Sequence, residues 1–180
     1  MAEPCPPLKF DGMEERLGRL WLAVYTKSRH EATVARGLES KNVEYLLPTY
    51  KILSRWSDRV QRITAPLFPG YVFVKVNQAE RVRVLQTAGV LNIVTQAGKP
   101  SPLLNEEIAM LRECAVRPRE VEPFPFLQSG QRVRVAHGPF AGWEGVLAYR
   151  KNCRRLVVSI EHIMRSVSID LDGADVEPLN

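Results

Sequence analysis

The pattern of this chain changes abruptly at RPREVEPFPF (Arg117 to Phe126), and that change constrains the fold more than any other feature. The stretch holds three prolines and neither a helical nor a strand period, so it reads as an extended linker. On its N-terminal side strands alternate with helices. WLAVYT (Trp21 to Thr26) reads as a buried strand, and Arg29 to Lys41 as an amphipathic helix with Ala32, Ala35 and Leu38 on one side and Asn42 as C-cap. Val43 to Tyr50 reads as a strand, Arg55 to Arg62 as an exposed hairpin, and APLFPGYVFVKV (Ala65 to Val76) as one long strand entered through Pro66 and Pro69. Ala79 to Thr87 reads as a helix, LNIVT as a short strand, and Glu106 to Val116 as a helix capped by Asn105. After the linker only short alternating strands remain: QRVRVAH, GVLAYR, RRLVVSIE, SVSIDL and DVEPL. The expected architecture is α+β. A flexible tail (1–17) precedes an α/β sandwich of antiparallel sheet and flanking helices (18–117), and a linker (118–127) leads to a small five-stranded β-barrel (128–180).

A chain of 180 residues, 45% of them apolar, is long enough for two such cores. No apolar run approaches the ~20 residues of a membrane span, and MAEPCPPLKFDG lacks the pattern of a signal peptide, so the expected location is the cytoplasm. Cys5, Cys114 and Cys153 are odd in number and scattered, suggesting neither disulfides nor a zinc site. His30, His137 and His162 fall in no metal or triad motif, and there is no phosphate-binding glycine loop. Cys114 lies on an apolar helix face as a small core residue. The sequence points to no enzyme, no cofactor and no metal. A net charge of +5 is compatible with a nucleic-acid or ribonucleoprotein partner without establishing one.

Within the C-terminal region, HGPFAGWEGV places Gly138, Pro139, Gly142 and Gly145 in one tight turn between alternating strands. It resembles the KOW motif. The preceding α/β region carries WLAVYTKSRHE and PLFPGYVFV, and in this order the two halves resemble the NusG family of transcription elongation factors. LPTYKILSRWSDR, VRVLQTAGVLNIV, KPSPLLNEEI and VVSIEHIMRSVSIDLDGADVEPL resemble the specialised UpxY-like (RfaH-like) antiterminators more than the general factor.

The resemblance implies a residue-by-residue expectation. Tyr25, Leu67, Phe68, Pro69 and Tyr71 match positions lining the apolar depression that receives the clamp helices of the largest RNA polymerase subunit. Between two flanking residues of a loop mouth, Phe68 is expected to be exposed, whereas Val72, Phe73 and Val74 fill the core. Arg81, Arg83, Gln86 and Thr87 match a region facing the second-largest subunit. Lys27, Arg29 and His30 match one facing upstream or non-template DNA. Arg55, Arg59 and Arg62 either extend that basic surface or form a solvated face, and Trp56 either stacks on a base or caps the sheet edge. Phe140, Trp143, Ile163 and Met164 are the implied partner-binding residues of the KOW domain, whose partner in the general factor is a small-subunit ribosomal protein or a termination factor. Glu161 stands where that factor carries an aromatic, which weakens the termination-factor case.

The resemblance thus implies a monomeric, non-catalytic factor that binds RNA polymerase and suppresses pausing and termination in long biosynthetic operons. Two alternatives stay open: a general housekeeping elongation or termination factor, and a ribosome- or RNA-binding protein acting through the KOW domain alone.

Overall fold

The computed structural model describes residues 18–56, 59–118, 120–124, 130–138, 140–150, 153–171 and 176–179, with backbone only for 53–56, 59–62, 149, 150, 153, 154 and 162. The expected tail (1–17), Pro139 and the expected linker beyond Phe124 (125–127) lie outside the described residues.

Four strands form the N-terminal sheet: β1 (Leu20–Thr26), β2 (Glu44–Leu46), β5 (Tyr71–Val76) and β6 (Val90–Ile93), in the order β2-β5-β1-β6. Each neighbouring pair runs antiparallel. β1 shows why the sheet needs two covers. Leu22 and Val24 point to one face, where they meet Val34 and Leu38 of helix α1 (Glu31–Ser40) and Val84 of helix α2 (Arg81–Leu85). Trp21 and Ala23 point to the other face, with Phe73 and with Ile108 and Leu111 of helix α3 (Asn105–Val116). A strand that is apolar on both faces must be sandwiched, because each face left in water forfeits about 25 cal/mol per Å². Asn42 ends α1 in the left-handed region at φ 55, one residue beyond the C-cap Lys41. The α3 N-terminus is secured by Glu107, whose carboxylate accepts the Leu104 amide at 2.8 Å, rather than by Asn105 as cap.

Two strand expectations need correction. Ala65 to Val76 is not one strand. β4 (Arg59–Pro66) ends at Pro66, a turn occupies Leu67 to Gly70, and β5 begins at Tyr71 in a different sheet. Val43 to Tyr50 likewise divides at Pro48 into β2 and β3 (Thr49–Trp56), and β3 pairs with β4 in a separate two-stranded hairpin. Proline supplies no N–H to a ladder, and here it marks the points at which the chain leaves one sheet for another. A second small hairpin, β7 (Thr95–Gln96) with β8 (Lys99–Pro100), leads to α3.

The C-terminal sheet contains β9 (Val121–Phe124), β10 (Arg132–Val135), β11 (Glu144–Arg150), β12 (Cys153–Ile160), β13 (Arg165–Asp170) and β14 (Val176–Pro178). Its order is β14-β10-β11-β12-β13-β9, six strands where five were expected. The additional strand comes from the proline-rich connector, where Val121 to Phe124 pair with Ile169 to Ser166. Arg155 fastens this strand, donating to Glu122 at 2.8 Å while paired with Asp170 at 2.9 Å. No helix among the described residues is long and apolar enough to cross a membrane.

Candidate partner-binding faces

The first candidate face is built where β1 ends and β5 begins. Tyr25 and Tyr71 are register partners, and their rings lie 5.4 Å apart. Tyr25 is 44% exposed and Tyr71 half-buried, so the pair offers aromatic surface to solvent. Phe68 does not join them. It is 1% exposed and packs edge-on against Phe73 at 5.5 Å, and Leu67 is equally buried. The expectation of an exposed Phe68 fails because the turn is tight. The Tyr71 N–H donates to Phe68 O at 3.1 Å, and this reversal swings residue 68 toward the core while Pro69 stays outside. Val72, Phe73 and Val74 are core, as expected.

Beside the tyrosines, Lys27, Arg29 and His30 are exposed at the junction of β1 and α1. Arg29 holds φ 62, and His30 Nδ1 lies 2.9 Å from Ser28 O. The junction is tied to two loops, through the Thr26 amide to Gly70 O and the Lys27 amide to Gly89 O, each at 2.8 Å. Arg55, Arg59 and Arg62 fall on the β3–β4 hairpin, where the structure describes the backbone alone.

On α2 and the turn after it, Arg83 and Gln86 are exposed and Arg81 is half-buried, its Nε enclosed without a hydrogen-bond partner among the described residues. Thr87 is buried instead, its hydroxyl donating to Arg83 O and accepting from Lys41 Nζ, each at 3.0 Å. Thr87 therefore closes the C-terminus of α2 and presents nothing to a partner. Exposed apolar residues nearby in the chain are Val82 and Leu85 of α2 and Leu91 of β6.

The second candidate face surrounds the C-terminal glycine turn. Gly138 and Gly142 take φ 96 and 86, and Gly145 is needed for a different reason. A Cβ there would sit 2.4 Å from Val157 O on the neighbouring strand. Phe140 is buried, with its ring 5.0 Å from that of half-buried Trp143. Ile163 is buried, and Met164 is exposed with φ 51. Of the four residues implied for a KOW partner, two are thus accessible.

The two faces meet. One contiguous apolar cluster runs from Trp21, Leu67, Phe68 and Phe73 through α3 to Phe140, Ile163 and Val167, with Tyr71 and Trp143 packed against it. The Arg165 guanidinium lies 5.9 Å from the Tyr71 ring centroid, and Arg165 lines a cleft of about 270 Å³ with Tyr25, Tyr71 and Asn92. Arg117 sits 5.9 Å from the Phe140 ring while paired with Glu113 and Glu120. Burial, then the Glu122 carboxylate, pushes the Tyr50 hydroxyl above its ordinary range. Arg165 was missed from the sequence, since nothing local marks an arginine whose aromatic partner lies on another sheet.

Burial pushes the Cys114 thiol up to about 12, which keeps it protonated and inert. Among the described residues, no group of three or more His, Cys, Asp and Glu is placed to hold a metal ion.

Fold and site together present two candidate surfaces, an aromatic, basic-flanked face on one sheet and a glycine-turned face on the other. Residues 19–112 match the family model described as transcription termination factor nusG. The chain is 29% identical over 177 residues to the transcription termination/antitermination protein NusG of Pseudomonas aeruginosa, across 89% of this chain and 99% of the relative. It is 30% identical over 176 residues to the protein of that name from Halalkalibacterium halodurans, across 88% of this chain and 98% of the relative. A solved structure, "Domain interaction in Thermotoga maritima NusG", shares the fold with a TM-score of 0.58 at 22% identity, covering 92% of this chain and 99% of that one. The chain belongs to the NusG family. Its relatives are non-catalytic transcription factors, named for termination and antitermination.

Proposed function

We propose that the chain is a cytoplasmic, monomeric RNA polymerase-binding antitermination factor of the specialised UpxY-like kind, serving long biosynthetic operons. The observation that carries this reading is the Tyr25–Tyr71 pair, held at the mouth of β1 and β5 beside Lys27, Arg29 and His30. Aromatic rings bury a large area with little rotamer entropy lost, which suits an exposed apolar tip such as that of the clamp helices. The adjacent cations supply salt-sensitive attraction to DNA phosphates without sequence readout. Leu67, Phe68 and Pro69 act by shaping the turn. Arg81, Arg83 and Gln86 are the candidates for a second polymerase contact, and buried Thr87 drops out. Bridging both sides of the polymerase channel shifts population toward the elongating state by differential binding, with no bond chemistry.

Residues 18–117 act as the polymerase-binding unit and 128–180 as a KOW barrel, with connector strand β9 carried by the barrel. Trp143 and Met164 face its partner, a small-subunit ribosomal protein, while Phe140 and Ile163 support them. Because Tyr71 and Phe140 share one packed cluster, capture of polymerase competes with the internal packing. The apparent affinity is then the intrinsic one reduced by the fraction of open molecules.

The test is single-round transcription with the cognate polymerase over a pause and a terminator, comparing wild type with Tyr71→Ala. Tyr71 is preferable to Phe68, whose removal damages the core. Expected are increased read-through by wild type and loss of at least about tenfold in apparent affinity for Tyr71→Ala. A wild type that leaves elongation unchanged sinks the reading. The near full-length similarity to general factors favours one second reading, the housekeeping factor. Increased termination in the same assay would establish that reading instead.

A further inference from the structure

Glu31 carries no part of the function described so far, yet its side chain is placed where a carboxylate is costly. It is 5% exposed, in the first turn of α1. A buried charge is tolerated only with compensating partners. The helix N-terminus provides one favourable field. The carboxylate does not cap its own helix, however. Its Oε1 accepts the amide N–H of Gly70, distant in sequence, at 2.7 Å. Gly70 O accepts the Thr26 amide at 2.8 Å, so both polar backbone groups of Gly70 are held by the β1–α1 segment.

Gly70 is the residue on which the aromatic face turns. It takes φ 85, and a Cβ there would lie 3.3 Å from the Tyr25 ring. The turn it closes sends Phe68 inward and starts β5 with Tyr71 beside Tyr25. A turn of the same outline forms at Gly142, where a backbone carbonyl, Val135 O, takes the amide at 2.7 Å. A backbone acceptor therefore suffices to build such a turn, and the buried carboxylate at Gly70 asks for a further reason. The reason lies in what it joins: α1 begins directly after Lys27, Arg29 and His30, so one hydrogen bond couples the basic junction to the aromatic pair.

We propose that Glu31 is a positioning residue for partner recognition, fixing Tyr25 and Tyr71 in register with the cationic junction. This rests on the polymerase-binding reading above. A charge-assisted bond to a fixed amide is shorter and stronger than a neutral one, and it resists exchange with water.

The experiment uses the full chain, the cognate core polymerase and three variants: Glu31→Ala, Glu31→Gln and Val34→Ala. Affinity is measured well below the melting temperature of each, and the Gly70 amide is followed by ¹H–¹⁵N NMR of the free protein. Glu31→Ala is expected to move the Gly70 amide proton upfield and to weaken polymerase binding about tenfold. Glu31→Gln keeps an acceptor oxygen and is expected to restore most of the affinity. Val34→Ala loses core stability from the same helix and is expected to bind like wild type. If Glu31→Ala fails to fold, Glu31→Gln carries the test, with an upfield Gly70 amide expected and an unmoved one overturning the assignment. Unchanged affinity in Glu31→Ala, or affinity lost equally in Val34→Ala, overturns the positioning role while leaving the polymerase reading intact. A wild type that does not bind polymerase overturns both.

Discussion

Two turns in this protein are nearly superimposable in pattern and differ in how they are held. Phe68-Pro69-Gly70-Tyr71 and Phe140-Ala141-Gly142-Trp143 each place a phenylalanine three residues before a larger aromatic. Each closes with an N–H···O bond of 3.1 Å from that aromatic to the phenylalanine carbonyl. The third residue is glycine in both, at φ 85 and 86, as a type II turn requires. Both turns send the phenylalanine into the shared core and leave the second aromatic half-exposed. A partner-facing aromatic is thus anchored through its buried neighbour. The difference is in the support. Among the described residues, Gly142 donates its amide to Val135 O of its own sheet and has nothing within 4 Å of a would-be Cβ, whereas Gly70 is gripped by Glu31 and roofed by Tyr25. The N-terminal turn is held by distant elements, and the C-terminal turn is locally self-sufficient.

The largest expected effect separates the two anchors. Phe68→Ala removes a side chain that is 1% exposed and packed edge-on against Phe73, and it should cost about 3–5 kcal/mol in chemical denaturation. Phe140→Ala should cost less, since its ring partner Trp143 is itself half-exposed and able to collapse into the space. Equal losses would break the comparison. The glycines come next. Gly142→Ala carries only the backbone penalty of the left-handed region, about 1–2 kcal/mol. Gly70→Ala adds displacement of the Tyr25 ring and should exceed it. A smaller cost at Gly70 would show that Tyr25 swings away freely.

How much of this was legible in the sequence follows the same division. The C-terminal turn was readable because its determinants are local: the glycines, their spacing and the alternating strands on either side. Trp21 to Thr26, the span of the first helix and the Arg55–Arg62 part of the β3–β4 hairpin were readable for the same reason, although the helix buries Glu31, Val34, Ala35 and Leu38 and leaves Ala32 exposed. The N-terminal turn was misread as part of one strand. Apolar residues continue on both sides of it, and Pro66 and Pro69 read as strand-opening residues although Pro69-Gly70 carries the type II signature. The burial of Phe68 had no local signal, since it depends on a turn that directs the ring onto Phe73 and into a cluster assembled from distant elements. Val121 to Phe124 became a strand for a similar reason. Its pairing edge, β13, lies far along the chain, and prolines masked the short alternation. Nothing local marks Glu31, because the Gly70 amide that gives it meaning comes from a remote loop.

A smaller effect tests the contact between the regions. Arg165→Ala removes the cation over Tyr71 and should lower stability by about 0.5–1 kcal/mol. If the two faces compete as proposed, it should also strengthen polymerase binding by a few fold. Weakened binding would make Arg165 part of the recognition face rather than a cover over it.

The smallest effect is a titration that reports the same packing from the other side. Tyr50 lies on the N-terminal hairpin and Glu122 on β9 of the C-terminal sheet, and burial with that carboxylate raises the Tyr50 pKa above 10. The folded state then keeps a proton that the unfolded chain releases. The stabilising difference is complete below about pH 10 and is lost as pH rises through the folded value. Wild type should therefore show a steeper alkaline fall in stability than Tyr50→Phe, and the difference should vanish below about pH 9. Glu122→Gln should make the wild-type fall shallower by removing the charge while leaving burial in place. If Glu122→Gln leaves the alkaline limb unchanged, Tyr50 does not feel the second sheet in solution, and the two turns belong to regions that spend their time apart.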